Sequence, residues 1–199
     1  MGYIKTFSGI LIDPLNPDPS LIRFGDIVVS LSRLQRWTGH LGVDYYSVGL
    51  HSLCVYSEVC KLTTDVFTRR WALLHDGSEA YFNDLARPVK RGLADYKQYE
   101  MRFQQVLGPV FGLPPEIPEV VHHVDWQVLL MEARDLFSCP SFPQEYGETK
   151  WPETRINDVL YDVFLPGAAR VRNNLIDFIT PKAVRQKMFS LYPGTFTVA

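Results

Sequence analysis

Cysteine is scarce in this chain of 199 residues: Cys54, Cys60 and Cys139 are odd in number and show no CxxC spacing, which argues against a disulfide framework and fits a reducing compartment. A surplus of charge is missing as well. The formal net charge of −2 and pI near 6.2 speak against a nucleic-acid coat or a membrane-surface protein, so any anionic ligand must be held by local cations. No apolar run approaches the ~20 residues needed to span a bilayer, and no signal-peptide pattern is present, which makes the cytoplasm the expected compartment. The opening Met1-Gly2-Tyr3-Ile4-Lys5-Thr6 matches a loose N-myristoylation pattern, but no basic cluster follows it. What is present is ordinary for one folded domain: 46% hydrophobic and 21% charged residues, in a length that buries roughly two-thirds of the unfolded surface.

Period-two alternation is nearly absent beyond the first dozen residues, so the expected fold is all-α. Residues 1–20 read as an extended, Pro-punctuated arm in which Phe7 to Leu11 can pair with the preceding residues as a short hairpin. Helical spacing of Ile27, Leu31 and Leu34 predicts a helix from Asp26 through Trp37, and Ser47 is the expected N-cap of a second that runs past Cys60. A third is expected from Trp71 to Phe82, with the Arg87-Pro88 step forcing the chain out of helix. Gly92 to Phe111 reads as an amphipathic helix closed by Gly112 and Pro114, and Glu119 to Phe137 as a long helix. One domain spans 1–199, with a core at 21–137 and a helical extension at 138–199.

The chemistry concentrates in few residues. His75-Asp76 is an adjacent imidazole and carboxylate that can face one divalent metal; His51 and Asp125 offer two further ligands. Asp125, Leu129, Glu132 and Leu136 share a helical stripe, and an unpaired carboxylate facing a core costs several kcal/mol, on the order of what a metal would offset. Each ligand alone has a plainer reading. Asp125 can cap a helix or pair with Arg134, and His51 can be a satisfied core histidine. His122 and His123 flank Asp125 at angles that point away from its face, and the role of His40 stays open.

Taken together the blocks resemble the HD superfamily of metal-dependent phosphohydrolases, which place a lone His, a His-Asp pair and a distant Asp around one metal. They are Leu31 to His40, Tyr46 to Ser52, Ala72 to Glu79, Asp84 to Lys90, and Asp125 ahead of Glu132 to Leu136. The resemblance covers roughly Ile10 to Phe137 and is nearest the branch of bacterial 5′-deoxynucleotidases and phage DatZ-type dATP triphosphohydrolases. The chain departs at Gly49-Leu50, where that branch usually carries Ala and then an acidic or amide residue, and the text after Cys139 lies beyond the resemblance.

The resemblance implies an HD-type helical bundle and one divalent transition metal on His51, His75, Asp76 and Asp125. Such a mixed nitrogen and oxygen site suits Mn²⁺, Co²⁺, Fe²⁺, Ni²⁺ or Zn²⁺, with Mg²⁺ as a further cation on the substrate phosphates. Glu79 and Asp84 are the expected proton-transfer residues, Asp84 having a helix cap as its plainer reading. Arg36 and Lys90 are expected to hold phosphate, and Trp37 to pack on the deoxyribose, its plainer reading being a core tryptophan. The expected reaction is hydrolysis of dATP to deoxyadenosine and triphosphate. The alternatives are a 5′-deoxynucleotidase acting on dNMPs and a non-catalytic nucleotide-binding module. No nucleic-acid polymer or membrane partner is expected, but a homo-oligomer is, working in the host cytoplasm if phage-encoded.

Overall fold

A computed structural model describes residues 2–137 and 181–191 of the chain, and it is mainly helical. The N-terminal arm is a hairpin of β1 (Ile4–Lys5) and β2 (Leu11–Ile12), antiparallel with Ile4 opposite Ile12. Ser8 fixes the arm to the first helix, since its backbone N–H and its hydroxyl both donate to the Asp26 carboxylate at 2.7 and 2.8 Å.

The helices follow as α1 (Phe24–Leu31), α2 (Val48–Leu62), α3 (Val66–Leu74), α4 (Glu79–Phe82), α5 (Arg87–Arg91), α6 (Ala94–Val110), α7 (Glu119–Asp135) and α8 (Pro181–Leu191). α2 lies at the centre. Every residue from Val48 to Val55 is buried, because α3, α7, α8 and α1 all pack on it. Ser47 caps it as expected, its hydroxyl accepting from Leu50 N at 3.2 Å. Burial of Trp71, Phe24, Phe103, Tyr46 and the surrounding leucines forms the core, at about 1.5–3 kcal/mol per large side chain. Among the described residues no helix is long and apolar enough to cross a membrane.

Three expected boundaries are corrected. The first helix stops at Leu31 rather than Trp37, because Gln35 bridges Ser47 and Arg36 N donates to Tyr46 O at 3.0 Å, turning the chain across α2. Trp37 and Thr38 then sit at φ 55 and 54, a left-handed conformation that costs roughly 1–2 kcal/mol per residue.

The expected helix from Trp71 to Phe82 is broken at residues 75–78, between α3 and α4. Gly77 N returns to Leu74 O at 2.8 Å, and Gln104 Nε2 satisfies the freed carbonyl of His75 at 3.1 Å. A Cβ on Gly77 would lie 2.5 Å from Leu107 and 2.9 Å from Leu74 O, so this turn packs on α6 only with glycine there. The Arg87-Pro88 step begins a helix rather than ending one, since proline fits the first turn of α5, where its missing N–H has no partner to lose. α6 closes as expected at Gly112 (φ 68), with Leu113 N bonded back to Gly108 O. Only α8 of the 138–199 extension is described; Cys139, Phe142, Trp151, Phe164 and Phe178 lie outside the described residues.

Candidate metal centre

Three elements bring the expected ligands together. α2 supplies His51 from its buried first turns, the C-terminal end of α3 supplies His75, and α7 supplies Asp125. His51 Nε2 lies 3.2 Å from His75 Nε2 and 3.0 Å from Asp125 Oδ1, and His75 Nε2 lies 3.8 Å from the same oxygen. These three residues each offer a ligand atom, all within 4.8 Å of one another, and form a cluster able to hold a metal ion. Asp76 stands beside them, its Oδ2 3.4 Å from His75 Nε2 and 3.7 Å from His51 Nε2. Ligand atoms about 2.0–2.2 Å from one ion are separated by roughly 2.8–3.6 Å at the angles of octahedral or tetrahedral sites, a range that holds the contacts of 3.0, 3.2 and 3.4 Å and falls just short of those of 3.7 and 3.8 Å.

The tautomers point the same way. His75 Nδ1 lies 2.9 Å from the backbone carbonyl of Ala72, an acceptor only, so Nδ1 carries the proton. His51 Nδ1 lies 2.5 Å from Glu132 Oε1 and donates to that carboxylate. Both Nε2 lone pairs therefore face each other at 3.2 Å, an arrangement that repels unless a cation or a proton lies between them.

Glu132 opens the last of the resembling blocks, but the sequence assigned it no role. It is fully buried; Oε1 takes His51 Nδ1 and the Tyr46 hydroxyl at 2.9 Å, and Oε2 takes Trp37 Nε1 at 2.9 Å and Arg36 Nε at 3.2 Å. Its place seven residues after Asp125 on the same stripe was a further signal. Arg36, expected on phosphate, is buried between Glu132 and Asp76, its Nη1 3.4 Å from Asp76 Oδ2. Trp37 is neither simply core nor free: its indole N–H holds Glu132 while its ring meets Phe137 edge-on.

Electrostatics sort the carboxyls. Burial would raise Asp125 and Glu132, but the neighbouring imidazoles and, for Glu132, Arg36 outweigh it and hold each at about 2. Asp76 is depressed further by His75, His51 and Arg36. Glu79 goes the other way, pushed well above the carboxylate range by burial and then by Asp76 and Asp84; Asp84 is raised too, chiefly by burial. Burial and Arg36 lower His51, yet Glu132 and Asp125 lift it to about 9.

Arg36, Trp37, Asp76, Glu79, Asp84, Lys90 and Asp125 line one cavity of about 520 Å³, together with Thr38, His40, Arg87, Leu129 and Phe137. That volume suits a small-molecule ligand. Lys90 donates to Glu100 Oε1 at 2.6 Å and lies 4.0 Å from Glu79. Asp84 does not cap α5, whose N-terminus has no side-chain cap. Asp125 pairs with His51 and Arg87 rather than Arg134, which binds Asp135. His122 and His123 are exposed, as expected.

No family model matches the chain. Among curated proteins it is similar to the uncharacterized protein YfdR of Escherichia coli K12, 41% identical over 139 residues, which span 68% of this chain and 73% of that protein. It is also 35% identical over 122 residues to an uncharacterized protein of Rhodobacter capsulatus, spanning 59% of this chain and 62% of that one.

Proposed function

The chain belongs to the family of Escherichia coli YfdR, and we propose that it is a metal-dependent phosphohydrolase cleaving the bond between the 5′-oxygen and the first phosphorus of a deoxynucleotide. The observation that carries this is the convergence of His51, His75 and Asp125 beside a cavity lined by Asp76, Glu79, Asp84 and basic residues. The resemblance to the HD superfamily, carried by the same residues, gives the leading reaction, dATP to deoxyadenosine and triphosphate.

His51, His75, Asp76 and Asp125 would hold the ion, whether Mn²⁺, Co²⁺, Fe²⁺, Ni²⁺ or Zn²⁺, and bound there it supplies a Lewis acid that polarises a phosphoryl oxygen and acidifies water. The chain's own groups supply the proton chemistry and the positioning. Burial and the neighbouring Asp76 and Asp84 carboxylates favour the protonated form of Glu79, and its Oε2 has no hydrogen-bond partner among the described residues, which fits a donor to the departing 5′-oxygen, an effect of about 10²–10⁴-fold in rate. Asp84 is a second proton carrier on the same wall. Arg36 orients Asp76 and balances Glu132, while Trp37 forms the wall on which a deoxyribose can pack.

A second reading, a 5′-deoxynucleotidase acting on dNMPs, is favoured by one observation: Arg36 and Lys90 are already paired with carboxylates, so little of their charge is left for a triphosphate. Both reactions break the same bond. Incubation with every dNTP, dNMP and rNTP plus Mn²⁺, Co²⁺ or Mg²⁺, with product identification, separates them: dATP should yield deoxyadenosine and tripolyphosphate. Orthophosphate from dNMPs alone would select the second reading, and no hydrolysis of any nucleotide would refute both.

A further inference from the structure

Four basic side chains line the cavity, and they are not equivalent: Arg36, His40, Arg87 and Lys90. Arg36 is locked between Glu132 and Asp76 with a side chain only 8% exposed, and Lys90 is bonded to Glu100. Arg87 is 43% exposed. It precedes Lys90 by three residues on α5, so both sit on one face of that helix. Its contact with Asp125 is long, Nη2 to Oδ2 at 3.8 Å, and engages the oxygen of Asp125 that His51 does not use.

What holds Arg87 there is aromatic. Its guanidinium carbon lies 4.8 Å from the ring centroid of Trp126, the residue that follows Asp125 on α7. A cation–π contact of this kind restrains the guanidinium over the ring while those of its N–H groups that point away from the ring, a fork matched to phosphate oxygens, can still meet a ligand. A long side chain restrained beforehand loses less freedom when it binds. Trp126 and Asp125 being adjacent on one helix, the platform and the cluster carboxylate keep a fixed relation.

We infer that Arg87, seated on Trp126, takes the outer phosphates of a polyphosphate substrate and so sets the length of phosphate chain the site accepts. The inference rests on the phosphohydrolase reading above and names the determinant that separates its two reactions. The phosphorus under attack belongs beside the metal cluster. Arg87, half-exposed and next to Asp125, is the rim cation placed to meet the phosphates beyond it.

The test is calorimetric titration of the metal-free, full-length protein with inorganic tripolyphosphate and with orthophosphate. Losing a charge-assisted fork should weaken tripolyphosphate binding by Arg87→Ala by about tenfold or more, with orthophosphate changed less than about twofold. Arg87→Lys, which keeps charge without the fork, should fall between. Trp126→Ala should weaken tripolyphosphate several-fold and Trp126→Phe restore it, a rescue that loss of charge alone does not predict. In turnover, the ratio of kcat/KM for dATP over dAMP should fall in Arg87→Ala.

Wild-type protein that binds no tripolyphosphate, or an Arg87→Ala variant that binds it unchanged or loses both anions equally, overturns the inference. Nucleotide hydrolysis with an Arg87-insensitive dissociation constant would remove Arg87 alone. Arg87-sensitive binding without hydrolysis of any nucleotide would remove the reaction and keep the polyphosphate site.

Discussion

At the scale of single residues, Glu132 organises the centre although it does not line the cavity and is not one of the clustered ligands. Its two oxygens take four donors from three separate stretches, Arg36 and Trp37, Tyr46, and His51, so one carboxylate sets the tautomer of His51, ties down the left-handed loop and compensates the charge of a buried arginine. Glu132→Gln should therefore lower metal affinity by about 10–100-fold, measured by competition with a chelating dye. It should also destabilise the fold by about 1–3 kcal/mol, because a buried charge-assisted network loses its anion and Arg36 keeps Asp76, 3.4 Å away, as its paired carboxylate. Unchanged affinity would mean that His51 is oriented some other way. The pH dependence has a definite sign. With its folded value pulled down to about 2 from an ordinary 4.5, Glu132 contributes stability that is complete above the unfolded value and is lost as pH falls from there toward 2. Urea titrations across that range should show the loss, and Glu132→Gln should flatten it. The metal ligands were legible in the sequence because imidazole and carboxylate announce their chemistry by type. Glu132 was not, since its importance lies in donors that only the tertiary fold assembles.

At the scale of elements, the long helices were legible together with some of their ends, Ser47 and Gly112, whereas the ends beside the site and the short helix α5 were not. The periodic stretches at 48–62, 94–110 and 119–135 read correctly because buried stripes of 15 to 17 residues leave a strong signal. The errors fell where the chain serves the site: α1 stops early to carry Arg36 and Trp37 over α2, and the helix holding His75 breaks to turn Asp76 and Glu79 toward the cavity. Local propensity is overruled there by hydrogen bonds from distant segments. The departure at Gly49 now has a physical cause. A Cβ at this position would lie 3.0 Å from Val184 Cγ1 and 3.2 Å from both Met188 Sδ and the backbone carbon of Leu31, so glycine lets α8 and α1 close on α2. Gly49→Ala gains helix propensity of about 1 kcal/mol, but overpacking against a backbone atom costs typically 1–3. The net expectation is a loss of about 1 kcal/mol, seen as a lower urea midpoint with an unchanged slope; a higher midpoint would show that α8 yields without strain.

At the scale of the whole molecule, a nearly neutral chain buries a cluster of charged side chains, among them Arg36, His51, His75, Glu79 and Glu132, within an apolar core. The central helix α2 excludes water from His51, α3 and α7 set His75 and Asp125 against it, and α4 with α5 raise the cavity wall that carries Glu79, Lys90 and Arg87. The mainly helical class followed from the lack of alternation, and the seven cavity-lining residues named from the sequence do meet in one place. The determinant inferred for substrate length was not legible, because it turns on how tightly each cation is paired after folding. The central claim is that His51, His75, Asp76 and Asp125 hold one divalent ion. Its most direct test is elemental mass spectrometry of the full-length protein after exposure to Mn²⁺ or Co²⁺ and removal of loose metal, beside His75→Ala and Asp76→Ala checked by circular dichroism. The account predicts about one ion per wild-type chain and essentially none in either variant, with helical content retained. A wild-type chain without stoichiometric metal, or a well-folded His75→Ala chain that keeps its ion, would contradict it.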